Sequence, residues 1–152
     1  MASAAVEIAE AVVARLKAGT FSLPIAPQRV WRLDQEIKDI KETLVPILPA
    51  ARTQGRISRS ESERDCVLEV GVIKKIASRG DGGEGTDMAE VDGLLALVEE
   101  MGDWLMDGVL ELAGGERAGV VLIENEPLLD RSVLEKQSIF FSVLRVAYRL
   151  YR

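Results

Sequence analysis

Gln137 to Tyr151 reads QSIFFSVLRVAYRLY, and how this stretch folds decides the architecture. In one register Phe140, Leu144, Val146, Tyr148 and Leu150 are apolar, with only Ser142 interrupting. The other register mixes Ile139, Phe141, Val143 and Ala147 with Arg145 and Arg149. Period-two alternation in a segment rich in β-branched and aromatic residues indicates a strand. At about 3.3 Å per residue it would run on the order of 50 Å, long for a globular strand. The rival reading is an amphipathic helix, because Phe140, Phe141, Leu144 and Tyr148 also fit a helical stripe. A natural antiparallel partner is Arg64 to Ile76, where Cys66, Leu68, Val70, Val72 and Ile76 share one face and Val67 and Ile73 help the other.

A sheet needs its apolar face covered, and two segments have the helical period to do it. From Ser3 to Lys17, Ala5, Ile8, Ala9, Val12, Val13 and Leu16 recur on one face, with Ser3 placed to cap and Gly19 expected just past the end. From Met88 to about Leu112 the inward stripe is Val91, Leu94, Leu95, Val98, Met101, Leu105, Val109 and Leu112, with Thr86 or Asp87 as the cap. Between these helices, Arg29 to Leu33 reads as a short strand and Asp34 to Lys41 as a brief helix. Thr43 to Leu48 is apolar but contains Pro46 and stops at Pro49, which argues for an edge strand. Ala113 to Gly119 reads as a turn, Val120 to Ile123 as a short strand, and Asn125 to Asp130 as the approach to the final strand. The expectation is an α+β fold: a mainly antiparallel β-sheet covered by an N-terminal helix and a long central helix. One domain spanning residues 1–152 accommodates it, with a flexible basic arm or hairpin at about 50–63 and a glycine-rich loop at 79–86.

Composition narrows the chemistry. The chain has 152 residues, 47% hydrophobic and 29% charged, as in a soluble globular protein. It has one cysteine and no histidine, so an intrachain disulfide is impossible and the commonest metal ligand and general base is missing. Neither a signal peptide nor a long apolar run is evident, and an intracellular setting is the default expectation. Net charge is −6, but its placement is uneven. Asp81 to Glu111 holds ten acidic residues and no basic one, leaving 19 basic against 15 acidic elsewhere. Such polarity concerns partners and long-range fields.

Three constellations carry a chemical suggestion. Gly80, Gly82, Gly83 and Gly85 are spaced like a phosphate cradle, but Thr86-Asp87 stands where a Walker loop needs lysine and a hydroxyl residue. Glu84, Asp87 and Glu90 would repel a pyrophosphate, so this is read as a plain loop; Arg79-Gly80-Asp81 within it is a chance match to an integrin tripeptide. Glu99, Asp103 and Asp107 fall on one line of the central helix, either a solvated face or one turned toward a basic partner or a channel. Arg52, Arg56 and Arg59 sit in a polar segment without interleaved aromatics, against direct DNA readout and in keeping with either an inert solvated loop or contact to the acidic face of a neighbouring subunit. Cys66 reads as buried core, and Trp31 and Trp104 as core or interface anchors. No catalytic, cofactor-binding or metal-binding residue is assigned, and the chain is read as a non-enzyme.

The order of parts resembles the tail terminator (tail-completion) proteins of long-tailed bacteriophages and prophage-like elements. An N-terminal amphipathic helix leads to a short strand and a small Asp-led helix. Then come Thr43-Leu-Val-Pro-Ile-Leu-Pro49, the basic arm with Arg56-Ile-Ser-Arg59, and Leu68-Glu-Val-Gly-Val-Ile-Lys-Lys75. The acidic helix with Asp92-Gly-Leu-Leu-Ala-Leu-Val-Glu99 follows, and Leu134 to Arg149 closes the pattern. The resemblance implies a virion protein of the tail or neck, assembled in the host cytoplasm as a ring, usually a hexamer. Such a ring caps the tail tube, ends its polymerisation and offers the surface on which head completion or connector proteins dock, while DNA only passes through. Alternatives are a head–tail connector or stopper and a cytoplasmic adaptor that binds a basic partner. No family catalytic residues exist to transfer.

Overall fold

The computed structural model describes residues 3–31, 42–59, 62–76 and 88–151. Its centre is the pair expected from the sequence. β3 (Ser62–Lys75) and β6 (Ile139–Tyr151) run antiparallel in an unbroken register from Asp65 opposite Arg149 to Lys75 opposite Ile139. Cross-strand partners share a face, so Cys66 with Tyr148, Leu68 with Val146 and Val70 with Leu144 form one buried layer. The helical reading of the last stretch is thereby excluded.

Around this pair the sheet has six strands, ordered β1-β2-β3-β6-β5-β4. β1 (Ala26–Arg29) is parallel to β2 (Leu44–Arg56), and every other neighbouring pair is antiparallel. The helical layer consists of α1 (Ala4–Ala18) and α2 (Met88–Met106), whose buried stripes include Ile8, Val12 and Leu16 and Leu94, Val98, Met101 and Leu105. These side chains join Ile47, Leu68, Val70, Phe140, Val146 and Tyr148 in one core. The α+β architecture, with an N-terminal and a long central helix on a mainly antiparallel sheet, is therefore as the sequence indicated.

Several boundaries differ, each for a local reason. β2 is no edge strand: β1 flanks it from Leu44 to Ile47. Pro46 is tolerated because the β3 register passes from Leu44–Ile73 to Ile47–Val70 without pairing Val45 or Pro46. The short strand expected at Arg29 starts earlier, at Ala26, although Val30 still donates its N–H to the Ile47 carbonyl at 2.9 Å. α2 ends at Met106 and not near Leu112; Leu110–Glu111 forms β4, and Leu110 and Leu112 reach the core from there. β5 spans Arg117–Asn125, taking in residues assigned to a turn. An unforeseen helix, α3 (Arg131–Gln137), precedes β6; Asp130 caps it by accepting from the Val133 N–H at 3.1 Å, and Ser138 ends it in the left-handed region at φ 54°. Ser3 occupies the N-cap position of α1 without a side-chain bond, and Gly19 is extended, so its need for glycine is steric: a Cβ would press on Phe21 and Trp104. The helix expected at Asp34 to Lys41, the glycine-rich loop and the caps Thr86 and Asp87 lie outside the described residues.

Candidate subunit interface

The β2–β3 hairpin outreaches its neighbours. β1 stops opposite Ile47, and from Ala50 to Arg56 every residue of β2 is exposed. A register shift between Pro49 and Ala51 introduces a bulge, which bends and twists the ribbon where it leaves the body. Arg52 lies opposite Cys66, and Arg56 opposite Ser62, so both belong to the helix-bearing side of the sheet. Arg59 is exposed at the tip beside Ile57, which is 63% exposed. Cys66 itself is fully buried; desolvation pushes its thiol up, against a smaller opposing pull from the Arg52 guanidinium. It is a core side chain, as expected.

The acidic segment divides into structural and uncommitted carboxylates. Glu90 pairs with Lys74 at 3.4 Å, and Glu100 accepts from the N–H and hydroxyl of Ser22, fastening α2 to the chain after α1. Glu99, Asp103 and Asp107 are exposed, and none of them is ion-paired among the described residues. The same holds for Arg52, Arg56 and Arg59. Carboxylates at the C-terminal end of a helix oppose its dipole, and α2 has no basic residue in its last turn. Arg15 of α1 supplies the missing cation. Its Nε and Nη2 donate to the Trp104 carbonyl at 3.2 and 2.6 Å, its guanidinium lies 4.3 Å from the Trp104 ring centroid, and Trp104 Nε1 returns a bond to the Arg15 carbonyl at 2.9 Å. Gly108 leaves room for it, since a Cβ there would collide with the guanidinium. Trp104 is thus an anchor between helices, whereas Trp31 is exposed, its ring centroid 5.2 Å from Arg29.

Between α2 and the β5–β6 edge runs an open groove of about 290 Å³. Buried Val98 and Leu144 form its floor, Glu99, Asp103 and Met106 its exposed rim, and Ile123 and Asn125 its β5 side. Asn125 is held in place by donating to the Val143 carbonyl at 2.8 Å and to Ser142 Oγ at 3.0 Å. Beside the groove, Val121 and Leu122 of β5 are 45% and 50% exposed. Their short apolar run was visible in the sequence; the side each faces was not, and the pairing of Leu122 with Ala147 puts Leu122 on the side away from the Val146 layer. The acidic line and the basic arm do not meet within one chain, because the β3–β6 pair separates β2 from β5.

The side of the sheet away from α1 and α2 offers a different surface around Arg145 and Arg149. Arg149 makes a bidentate pair with Asp65 at 2.9 and 3.1 Å and a further contact with Glu63 at 2.7 Å, and Arg145 lies 3.7 Å from Glu69. These charges neutralise one another across the strands. Among the described residues no three His, Cys, Asp or Glu side chains come together as a metal site, and no helix is long and apolar enough to cross a membrane.

No family model matches the chain, and no curated protein does. Among solved structures it is similar to one whose name states no function, at 17% identity over 97% of this chain and 92% of that one, with a TM-score of 0.48.

Proposed function

We propose that the chain is a structural virion protein whose copies form a closed ring, hexameric as in the tail terminators it resembles, that caps a phage tail tube. A ring of identical subunits requires one patch on each copy to meet a different patch on the next. The observation that carries this reading is the pair of unlike patches at opposite ends of one sheet, by β2 and by β5. Arg52, Arg56 and Arg59 project on the hairpin; Glu99, Asp103 and Asp107 line the far helix and its end; and neither set has an ionic partner among the described residues. Opposite charge sets register and accelerates encounter more than it adds raw affinity, which suits assembly on a growing structure. In this role the chain ends tube polymerisation and presents a docking surface to head completion or connector proteins, and DNA passes through without a base-reading site. The role requires binding surfaces only, with no catalytic step.

The test is polymerisation of the cognate tail tube protein with and without the purified chain, followed by electron microscopy. The expected result is shortened tubes bearing the chain at one end only. Tubes of unchanged length with no end density would overturn the assignment.

A further inference from the structure

We infer that the open edge of β5 receives the β2–β3 arm of a second copy, so that neighbouring sheets join strand to strand with Arg52 and Arg56 over the acidic line of α2. The inference rests on the ring reading and specifies its contact.

Two backbone edges lack a neighbour among the described residues. The outer side of β2 is unpaired beyond Ile47, and β4 covers β5 only at Arg117 and Ala118, leaving the strand open toward Asn125. Unpaired N–H and C=O groups in a row are a template for another strand, and monomeric proteins usually blunt such edges with charge, proline or a covering element. Here the β5 edge instead shows Val121 and Leu122, and the arm shows Ile57. The open stretch of β2 is polar and basic and that of β5 carries an apolar run, so the two are unlike, and they lie at different places on the sheet.

Strand direction permits the join. β2 is antiparallel to β3, β3 to β6, and β6 to β5, so β5 runs opposite to β2. A second copy brought alongside by rotation about a ring axis that runs along the strands keeps its strand sense and therefore presents β2 antiparallel to β5. The same rotation keeps α1 and α2 of both copies on one side of the continuous sheet. Arg52 and Arg56 belong to that side, through their pairing with Cys66 and Ser62, as does α2. Spacing agrees as well. Four residues of strand separate Arg52 from Arg56 by about 13 Å; Asp107, one residue past α2, still bonds its N–H to the Asp103 carbonyl, so eight residues at helical rise separate it from Glu99 by about 12 Å. The partner is a second copy because its arm supplies the complementary charge, the open edge and the direction together.

Two variants of the full chain test the contact, read by native mass spectrometry and sedimentation: Arg52→Glu with Arg56→Glu, and Glu99→Arg with Asp103→Arg. Each alone is expected to associate at least about tenfold more weakly than the parent, with unchanged circular dichroism. Mixed together they should recover assembly with alternating copies, since each arm then meets an opposite charge. A third variant, Thr53→Cys with Val121→Cys, should form intermolecular disulfides on mild oxidation, and it serves if a charge reversal impairs folding. A parent chain that stays monomeric at every accessible concentration, reversals without effect, or a mixture that does not recover would overturn the inference. Mixed rings that form but leave tube length unchanged would uphold this contact and overturn the terminator assignment instead.

Discussion

The β2–β3 ladder has two halves that share hydrogen-bonding pattern and little else. Near the body, Ile47 and Pro49 pair with Val70 and Leu68, and the layer is sealed by α1 and by β6 behind it. Beyond the bulge, Thr53, Gln54 and Gly55 pair with Asp65, Arg64 and Glu63, and all three β2 residues are exposed. A ladder bond contributes little net stability in water, because the unfolded groups are solvated equally well. Burial therefore holds the first half, and the second is held by connection to it. A surface intended for a neighbour gains from this arrangement: it can be ordered by the partner without the core depending on it.

The largest expected contrast follows directly. Leu68→Ala removes a fully buried side chain between Pro49 and Val146 and should destabilise the chain by about 2–5 kcal/mol. Thr53→Ala in the outer half should change stability by less than about 0.5 kcal/mol. Urea denaturation of both variants checks the difference, and comparable losses would show that the arm is part of the cooperative core.

A second contrast separates the arm's free arginines from the committed Arg15. Gly108→Ala forces the Arg15 guanidinium off the Trp104 carbonyl and ring. The expected cost is about 1–2 kcal/mol, because a charge-assisted hydrogen bond and a cation–π interaction are broken together. Thermal melting gives the magnitude. Tryptophan emission in a Trp31→Phe background should shift to the red as Trp104 loses its cover, and an unmoved spectrum would mean that Arg15 finds another route to the helix end.

Legibility in the sequence followed the same division. The β3–β6 pair was readable because alternation over more than ten residues leaves few other solutions, and α1 because its stripe, start and stop agree. The end of α2 was not. Val109 and Leu112 continue the helical spacing in sequence, yet Val109 is exposed and Leu112 enters the core from beyond β4. Just past the end of α2 the Arg15 guanidinium occupies the space beside Gly108, a contact 93 residues distant in sequence that no local pattern announces. α3 was missed because its seven residues bury nothing fully, which leaves no periodic signal, although Asp130 stood at its start. The charged residues of the interface were legible as types and spacings. That Arg52 and Arg56 lie on the helix side became visible only from the register with Cys66 and Ser62, since a shift of one residue at the bulge would have turned both away.

The smallest expected effect at neutral pH belongs, against the trend, to a fully buried residue. Tyr148 is among the largest enclosed side chains, yet its hydroxyl has no hydrogen-bond partner among the described residues. Removing an unsatisfied polar atom relieves its desolvation cost, so Tyr148→Phe should be neutral or slightly stabilising at pH 7. At high pH the two proteins part. Burial raises the phenol above its ordinary value, and the Arg15 charge only partly opposes this. The folded chain thus keeps a proton that the unfolded chain releases above about pH 10. Stability tied to the neutral phenol is fully present below that pH and is lost as pH rises through the interval up to the folded value. Urea midpoints measured from pH 7 to 11 should fall less steeply in Tyr148→Phe than in the parent. Parallel curves would place a partner on the hydroxyl, and the core would then contain a polar tie that its burial conceals.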